Sequence, residues 1–445
     1  MSFYSPVRTN AQEVAASDRL HLFKYVEDPE QHTVATYEAH GGYVAWKKAL
    51  TTMQPEEVAL EVKTAGLRGR GGAGFPTGMK WGFIPKGSPK PKYLVCNADE
   101  SEPGTCKDRV IMERDPHAMI EGMAIGAFAI GCHLMFVYIR GEFGEPIRSV
   151  RRAVKEAYER GHLGKNIYGS GYDLDMIVHT GGGAYICGEE TALLNSLEGK
   201  RGQSRIRPPF PAIEGLYASP TIVNNVETLA TVPHIINRGA EWYKSLGKEK
   251  SPGSKIFSLS GHVKQPGNYE LELGHSLKDF IYNPKYGGGI LGDKALKGVI
   301  PGGSSTPFLT PDMIEVGLDY ESLTEVGSML GSGAVIVFNE DTCIVWALLK
   351  LIHFYRHESC GKCTPCREGT GWLEQLIRAI EQGRGRPGDV EKIESVCGNI
   401  LGRTICPLGD AAVMPIQSSI RLWRDEWQYH IDHGKCMVKT HFEFK

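Results

Sequence analysis

Three cysteines stand close together at Cys360, Cys363 and Cys366, in the stretch ESCGKCTPCREG. Thiolates are soft ligands, and three at this spacing can turn toward one metal centre. That demand constrains the fold more than any other stretch, because the chain must return a fourth ligand to the same point. Cys397 and Cys406 are the nearby candidates. Cys406 is followed by Pro407, and Cys-Pro also ends a bacterial ferredoxin run. Cys397 lies inside a helical pattern and reads as a small buried side chain. Cys406 is therefore the predicted fourth ligand. A zinc site is the competing reading, but zinc ligands usually come as two separated pairs. Three close cysteines and one remote one favour a [4Fe–4S] cluster, with Lys362, Arg367 and nearby amides placed to offset its negative charge. The other cysteines, at 96, 106, 132, 187, 343 and 436, have no metal-like spacing and read as core or surface residues.

Composition supports redox chemistry in a globular chain. Eleven cysteines in 445 residues are too sparse for a disulfide framework. Met1–Asn10 has no apolar core, so no signal peptide is expected. Both point to a reducing compartment. Lys+Arg 50 against Asp+Glu 52 leaves a net charge of −2, without the basic excess that nucleic-acid binding needs. The length suggests about three domains. The stretch Gly122–Ile139 approaches the length of a membrane span, but His133 interrupts it and three glycines loosen it. It reads as a buried helix ending near Gly131 followed by a strand Leu134–Ile139. No direct span is expected, and any membrane link runs through a partner.

Residues 1–50 read as an N-terminal extension, polar and irregular to about residue 40, that wraps a neighbour or the chain's own surface. Alternating helices and strands then predict an α/β domain over 51–248: a helix Pro55–Ala65, strands Tyr93–Cys96, Leu134–Ile139 and Met176–His179, and a helix at about 147–160. The polar stretch Glu249–Ser254 is a linker. A small α+β module with hairpin turns covers 249–333. From Ala334 a strand leads into four helical patterns, from Asp341 and over 367–382, 388–401 and 410–434, which define a C-terminal helical domain of 334–445.

Glycine is abundant, 54 residues in 445, against a usual share near about 7%, and two clusters stand out. Gly69-Arg70-Gly71-Gly72-Ala73-Gly74-Phe75-Pro76 matches G-x-G-x-x-G by residue type. A helix precedes it and Phe-Pro follows, so it is not an ordinary Rossmann turn. Its glycines still let backbone approach a flat ligand or phosphates, with Arg70 and Lys80 supplying charge and Phe75 and Phe83 rings for stacking. A mobile surface loop is the plainer alternative. The second cluster, Gly181–Gly188, opens a helix with Glu189 and Glu190. Acids there repel a phosphate and suit hydroxyls, which favours NADH over NADPH; simple first-turn helix stabilisation is the alternative. Asn97 and Asp99 stand at the end of a strand, where α/β ligands bind, and Asn224-Asn225 form a similar pair. Local turn or cap roles are the alternative for both.

Taken together, RGRGGAGFPTGMKW, NADESEPGT, YICGEETALLNSLEG, RPPFPA, PTIVNNVETL, GGSSTP and ESCGKCTPCREG resemble the NADH- and FMN-binding subunit of respiratory complex I (NADH:quinone oxidoreductase), over about residues 40–430. Related diaphorase subunits serve NAD-linked hydrogenases and formate dehydrogenases. The resemblance implies a Rossmann-like FMN/NADH domain, a ubiquitin-like (β-grasp) middle domain and a C-terminal four-helix bundle with one [4Fe–4S] cluster. It places FMN around Gly69, Arg70, Gly71, Gly72, Gly74, Lys80, Asn97, Asp99, Glu100, Tyr185, Gly188, Glu189, Asn224, Asn225 and Thr228, and NADH against Phe75, Phe83, Glu102, Glu190 and Phe210. Glu102 and Glu190 are the residues expected nearest the chemistry. Family members carry Lys before Pro-Pro-Phe-Pro, whereas this chain has Arg207, which keeps the charge but not the shape. The implied reaction is hydride transfer from NADH to FMN, with single electrons passed to the cluster. With no second cluster motif in the chain, the next acceptor is implied to be a thioredoxin-like [2Fe–2S] subunit and then a multi-cluster subunit of the peripheral arm. The implied location is peripheral, on the cytoplasmic side of the inner (plasma) membrane.

Overall fold

A computed structural model describes residues 7–438. Strands β1 (Tyr93–Ala98), β2 (Leu134–Ile139), β3 (Asp175–Thr180) and β4 (Thr221–Asn225) form a parallel sheet in the order β3-β2-β1-β4. Along β1, Leu94, Cys96 and Ala98 enter one core and Val95 another, as the two-residue period of a strand requires. The first face is covered by the helices Pro116–Ile130 and Val226–Arg238. Their contact explains Gly122, where a Cβ would lie 1.8 Å from the Leu229 carbonyl oxygen. The helix stops at Gly131, in the left-handed conformation that ends helices, and β2 follows. Among the described residues no helix is long and apolar enough to cross a membrane.

The chain runs outward from β1 to β3, then returns to set β4 on the other side of β1. In open α/β sheets such a reversal leaves a crevice at the strands' carboxyl ends. Asn97 and Asn225 face each other there, paired in register.

The N-terminal segment departs from the irregular arm expected of it. It holds helices at Ala11–Ala15, Val34–Ala39 and Val44–Thr52, and Phe23 and Trp46 are fully buried in the same core as the helix Pro55–Thr64. It is sewn to the chain's own surface: Asn10 exchanges two 2.8 Å hydrogen bonds with the Glu270 backbone, and the Glu270 carboxylate accepts from the His21 and Phe23 amides at 3.0 Å.

The middle sheet comprises Gly267–Glu272, Ser254–Gly261, Ala334–Asn339 and Leu296–Ile300, in that order. The strands Ser254–Gly261 and Ala334–Asn339 are parallel and central, with antiparallel strands outside them, the β-grasp arrangement. Ala334–Asn339 thus completes this sheet rather than opening the helical domain, so a boundary at 333/334 cuts a hydrogen-bonded layer. Parallel pairing joins strands far apart in sequence and leaves no local signal.

Among the described residues five helices follow rather than four: Ile344–Glu358, Thr364–Glu381, Asp389–Ile400, Leu408–Leu422 and Arg424–His433. The pattern 410–434 breaks at Trp423, which leaves helical geometry (φ −134°, ψ 44°) and packs edge-on against Phe308 at 5.4 Å. The helical core continues into the second face of the parallel sheet through Val95, Phe136 and Val223.

Candidate nucleotide and cluster sites

Both glycine loops converge on the β1/β4 crevice. Asn97 Nδ2 donates to the Gly188 carbonyl at 2.8 Å, holding the second loop over the end of β1. A Cβ on Gly71 would sit 3.1 Å from Asn225 Cβ, so bare backbone of the first loop lies against β4. Gly74 has φ +64°, and a side chain there would strike the Tyr320 ring at 2.4 Å. The Tyr320 hydroxyl in turn donates to the Gly69 carbonyl at 2.9 Å. The loop is therefore packed in place.

Asp99 lies beneath Gly188, whose Cβ would be 3.6 Å from Asp99 Oδ2. It is 8% exposed, and Oδ2 has no hydrogen-bond partner. Burial pushes its carboxyl up to about 7, against the opposing charge of Arg140. An orphaned buried oxygen beneath bare loop backbone fits a flat heterocycle with polar edges.

Around the mouth of this crevice the residues are open. Phe75, Phe83 and Phe210 are 45%, 52% and 55% exposed, and the first two rings stand 5.9 Å apart. Large rings held in solvent are surface awaiting a stacking partner. Lys80 Nζ binds Glu190 Oε2 at 2.7 Å and the Val223 carbonyl of β4 at 2.9 Å. Arg207 reaches Glu190 Oε1 at 3.4 Å. Glu190 is thus held between two cations at the start of the helix Glu190–Leu197.

Other polar residues of the predicted site serve the scaffold with their side chains. Glu100 accepts from the amides of Lys107, Asp108 and Arg109 at 2.8–3.0 Å, capping the helix Lys107–Arg114; burial still raises its carboxyl to about 7. Glu189 caps Glu190–Leu197 through Thr191 and Ala192. Asn225 caps Val226–Arg238 and donates to Asp108, while Asn224 Oδ1 accepts from Trp81 at 2.9 Å. The Arg70 side chain is fully buried on the Tyr243 hydroxyl, and its amide donates to Thr228 Oγ1 at 2.8 Å. Glu102 accepts from the Tyr185 hydroxyl at 2.7 Å and the Ser305 amide at 2.8 Å.

Cys360 lies between the helices Ile344–Glu358 and Thr364–Glu381, Cys363 is the N-cap of the latter, and Cys366 is in its first turn. Cys406 precedes the helix Leu408–Leu422. Cys366 and Cys406 are buried. Burial pushes the Cys366 thiol up to about 12, helped by the neighbouring Cys363, Cys406 and Cys360. Cys397 is buried without any of these thiols acting on it. Four thiols gathered at two helix starts suit an anionic metal–sulfur cluster. Lys362 donates to the Ser204 carbonyl at 2.6 Å, and Arg367 bonds Glu368 and the Gly361 carbonyl.

The two sites are directly joined. The Tyr185 amide donates to Glu358 at 2.8 Å, Gln203 to the Cys360 carbonyl at 3.0 Å, and Lys362 to Ser204. The linking residues Gln203 and Ser204 carry no motif of their own, and Glu358 opens the cysteine motif without a ligand's residue type; only the folded chain shows their linking bonds.

A glycine-lined crevice at a sheet switch point, joined to a four-thiol centre, defines a nucleotide-dependent redox protein. Residues 62–234 match the Nuo51 FMN-binding domain family, and 346–430 match the NADH-ubiquinone oxidoreductase-F iron-sulfur binding region. An NADH-quinone oxidoreductase F subunit of Rhizobium meliloti is 53% identical over 93% of this chain and 98% of its own. The corresponding protein of Mycobacterium bovis is 54% identical over 93% and 94%. An NAD+-reducing [NiFe]-hydrogenase in its H2-reduced state superimposes with a TM-score of 0.82, at 31% identity, over 99% of this chain and 69% of that chain. The chain belongs to the family of NADH-quinone oxidoreductase F subunits: an oxidoreductase with an FMN-binding domain and an iron–sulfur region, and one component of a multi-subunit enzyme.

Proposed function

We propose that this chain takes hydride from NADH in the β1/β4 crevice and passes electrons out through the cysteine turn. The observation that carries this reading is the direct bonding of Tyr185 in the second glycine loop to Glu358, and of Gln203 and Ser204 to Cys360 and Lys362. When bound, FMN accepts the hydride and releases electrons singly, and a [4Fe–4S] cluster accepts them. Gly71, Asn97, Asp99 and Gly188 frame the flavin. Phe75, Phe83 and Phe210 stack on the dinucleotide and exclude water. Glu190, oriented by Lys80 and Arg207, accepts ribose hydroxyls and repels a 2′-phosphate. Glu102 is a positioning residue, since its oxygens are occupied by Tyr185 and the Ser304-Ser305 turn. Cys360, Cys363, Cys366 and Cys406 hold the cluster, within the spans 51–248 for the nucleotide unit and 334–445 for the cluster unit, Ala334–Asn339 excepted.

The partners in this reading are a thioredoxin-like [2Fe–2S] subunit and a multi-cluster subunit of the peripheral arm, on the cytoplasmic side of the inner (plasma) membrane. A second reading, a diaphorase serving a soluble hydrogenase, is favoured by the 0.82 TM-score to such an enzyme. Adding the chain to membranes lacking it separates the two. Restored NADH-dependent quinone reduction supports the first; restored hydrogenase activity alone overturns it. For the ligand set, Cys406→Ser loses the cluster iron while Cys397→Ser retains it. Equal iron in the two variants overturns the assignment.

A further inference from the structure

Cys343 and Cys436 lie far apart in sequence and carry no motif spacing, yet the fold brings them together with Glu426 and His430. One potential ligand atom from each of the four residues lies within 4.8 Å of the others, and three of the residues are buried. Cys343 caps the helix Ile344–Glu358. Glu426 and His430 stand one turn apart on Arg424–His433, and Cys436 follows that helix. Cys343 Sγ is 3.3 Å from His430 Nε2, near the separation of about 3.5 Å that tetrahedral zinc imposes on sulfur and nitrogen ligands. His430 is fully buried, and its Nδ1 has no partner.

We infer that Cys343, Glu426, His430 and Cys436 form a structural zinc site, separate from the cluster cysteines. Two thiolates, an imidazole and a carboxylate are zinc's donor types, and four protein ligands make a closed, non-catalytic site. Two thiolates and a carboxylate outweigh a divalent cation by one negative charge. Lys297 Nζ, 2.7 Å from Glu426 Oε2, supplies the balancing positive charge. The Ile344 amide donates to Glu426 Oε1 at 2.9 Å and orients it. Binding releases the two thiol protons to solvent, with no redox step. The metal staples the last helix and the segment after it to the start of the helical domain.

The test uses the full chain carrying its iron–sulfur cluster, with zinc and iron counted by mass spectrometry and the zinc environment read by X-ray absorption. The expected result is about one zinc per chain with two sulfur neighbours at about 2.3 Å and nitrogen and oxygen at about 2.0–2.2 Å. Cys436→Ser, at the half-buried edge, lowers zinc at least about tenfold and leaves iron unchanged; Cys343→Ser/Cys436→Ser removes zinc altogether. Zinc at background in the wild type, a Cys343–Cys436 disulfide in its place, a shell of four sulfurs, or zinc retained in the double variant each overturns the inference.

Discussion

Two groups of charged side chains lie near the same crevice and are built in opposite ways. Beneath the first glycine loop, Lys107 bonds Asp108 at 2.7 Å and Glu227 at 2.8 Å, and Lys255 bonds Glu227 at 3.2 Å, with every member buried. Lys255 also donates to the Arg70 carbonyl. Burial pulls Lys255 down to about 7; although burial opposes it, Lys107 and Lys255 hold Glu227 below the usual carboxylate range. Toward solvent, Lys80, Glu190 and Arg207 are partly exposed. The buried group joins the helix Val226–Arg238 to the first strand of the middle sheet. The open group is free to exchange its partners for a ligand. The difference separates buried charges that hold the scaffold from partly exposed charges that solvent can reach.

Breaking the buried group has the largest effect. Glu227→Gln removes the carboxylate that Lys107 and Lys255 share, at a cost of about 3–5 kcal/mol. Chemical denaturation reads this loss, and a variant as stable as wild type would remove the distinction. Asp99 comes next, because it is buried like the first group yet its Oδ2 has no partner. Its folded pKa of about 7 exceeds the unfolded value of 3.8, so the folded state holds the proton more tightly. That stabilisation is complete below about pH 4 and is lost as pH rises through about 7, a swing of about 2–4 kcal/mol. In the flavin-free chain, Asp99→Asn therefore gains stability relative to wild type across this window; parallel pH profiles would contradict it.

The rim predicts smaller effects, on binding rather than folding. Phe75→Ala removes stacking worth about 0.5–1.5 kcal/mol, raising KM for NADH roughly two- to twelvefold with Tm unchanged. A fall in Tm with KM unaltered would place this ring in the scaffold. Glu190→Ala narrows the preference for NADH over NADPH by roughly fivefold, about 1 kcal/mol. An unchanged ratio would take Glu190 off the ribose.

The same division explains what was legible in the sequence. Glycine loops and closely spaced cysteines announce themselves because their chemistry demands a residue type at a fixed spacing. The reading of Gly122–Ile139 as helix then strand holds because Gly131 ends the one and a six-residue apolar run, buried on both faces of the sheet, forms the other. Glu189 and Asn225 had both ligand and local readings open, and their side chains cap helices, as does that of Glu100. An acid near a helix start looks alike in either role until its amide partners are placed. The N-terminal helices Ala11–Ala15 and Val34–Ala39 are too short to show a helical period, and the apolar groups around Phe23 and Trp46 are buried through distant contacts. Ala334–Asn339 was legible as a strand, but not its sheet, and Trp423 broke a continuous helical period through a tertiary contact with Phe308.

The central claim is that one chain holds both the hydride acceptor and the first single-electron acceptor, joined by the Tyr185–Glu358 and Gln203–Cys360 bonds. Anaerobic reduction by NADH of the flavin-loaded chain with its co-purifying partners tests it, following flavin absorbance and low-temperature electron paramagnetic resonance together. The account predicts bleaching of the flavin and the appearance of a reduced [4Fe–4S] signal that Cys406→Ser abolishes. A flavin that NADH does not bleach would contradict it.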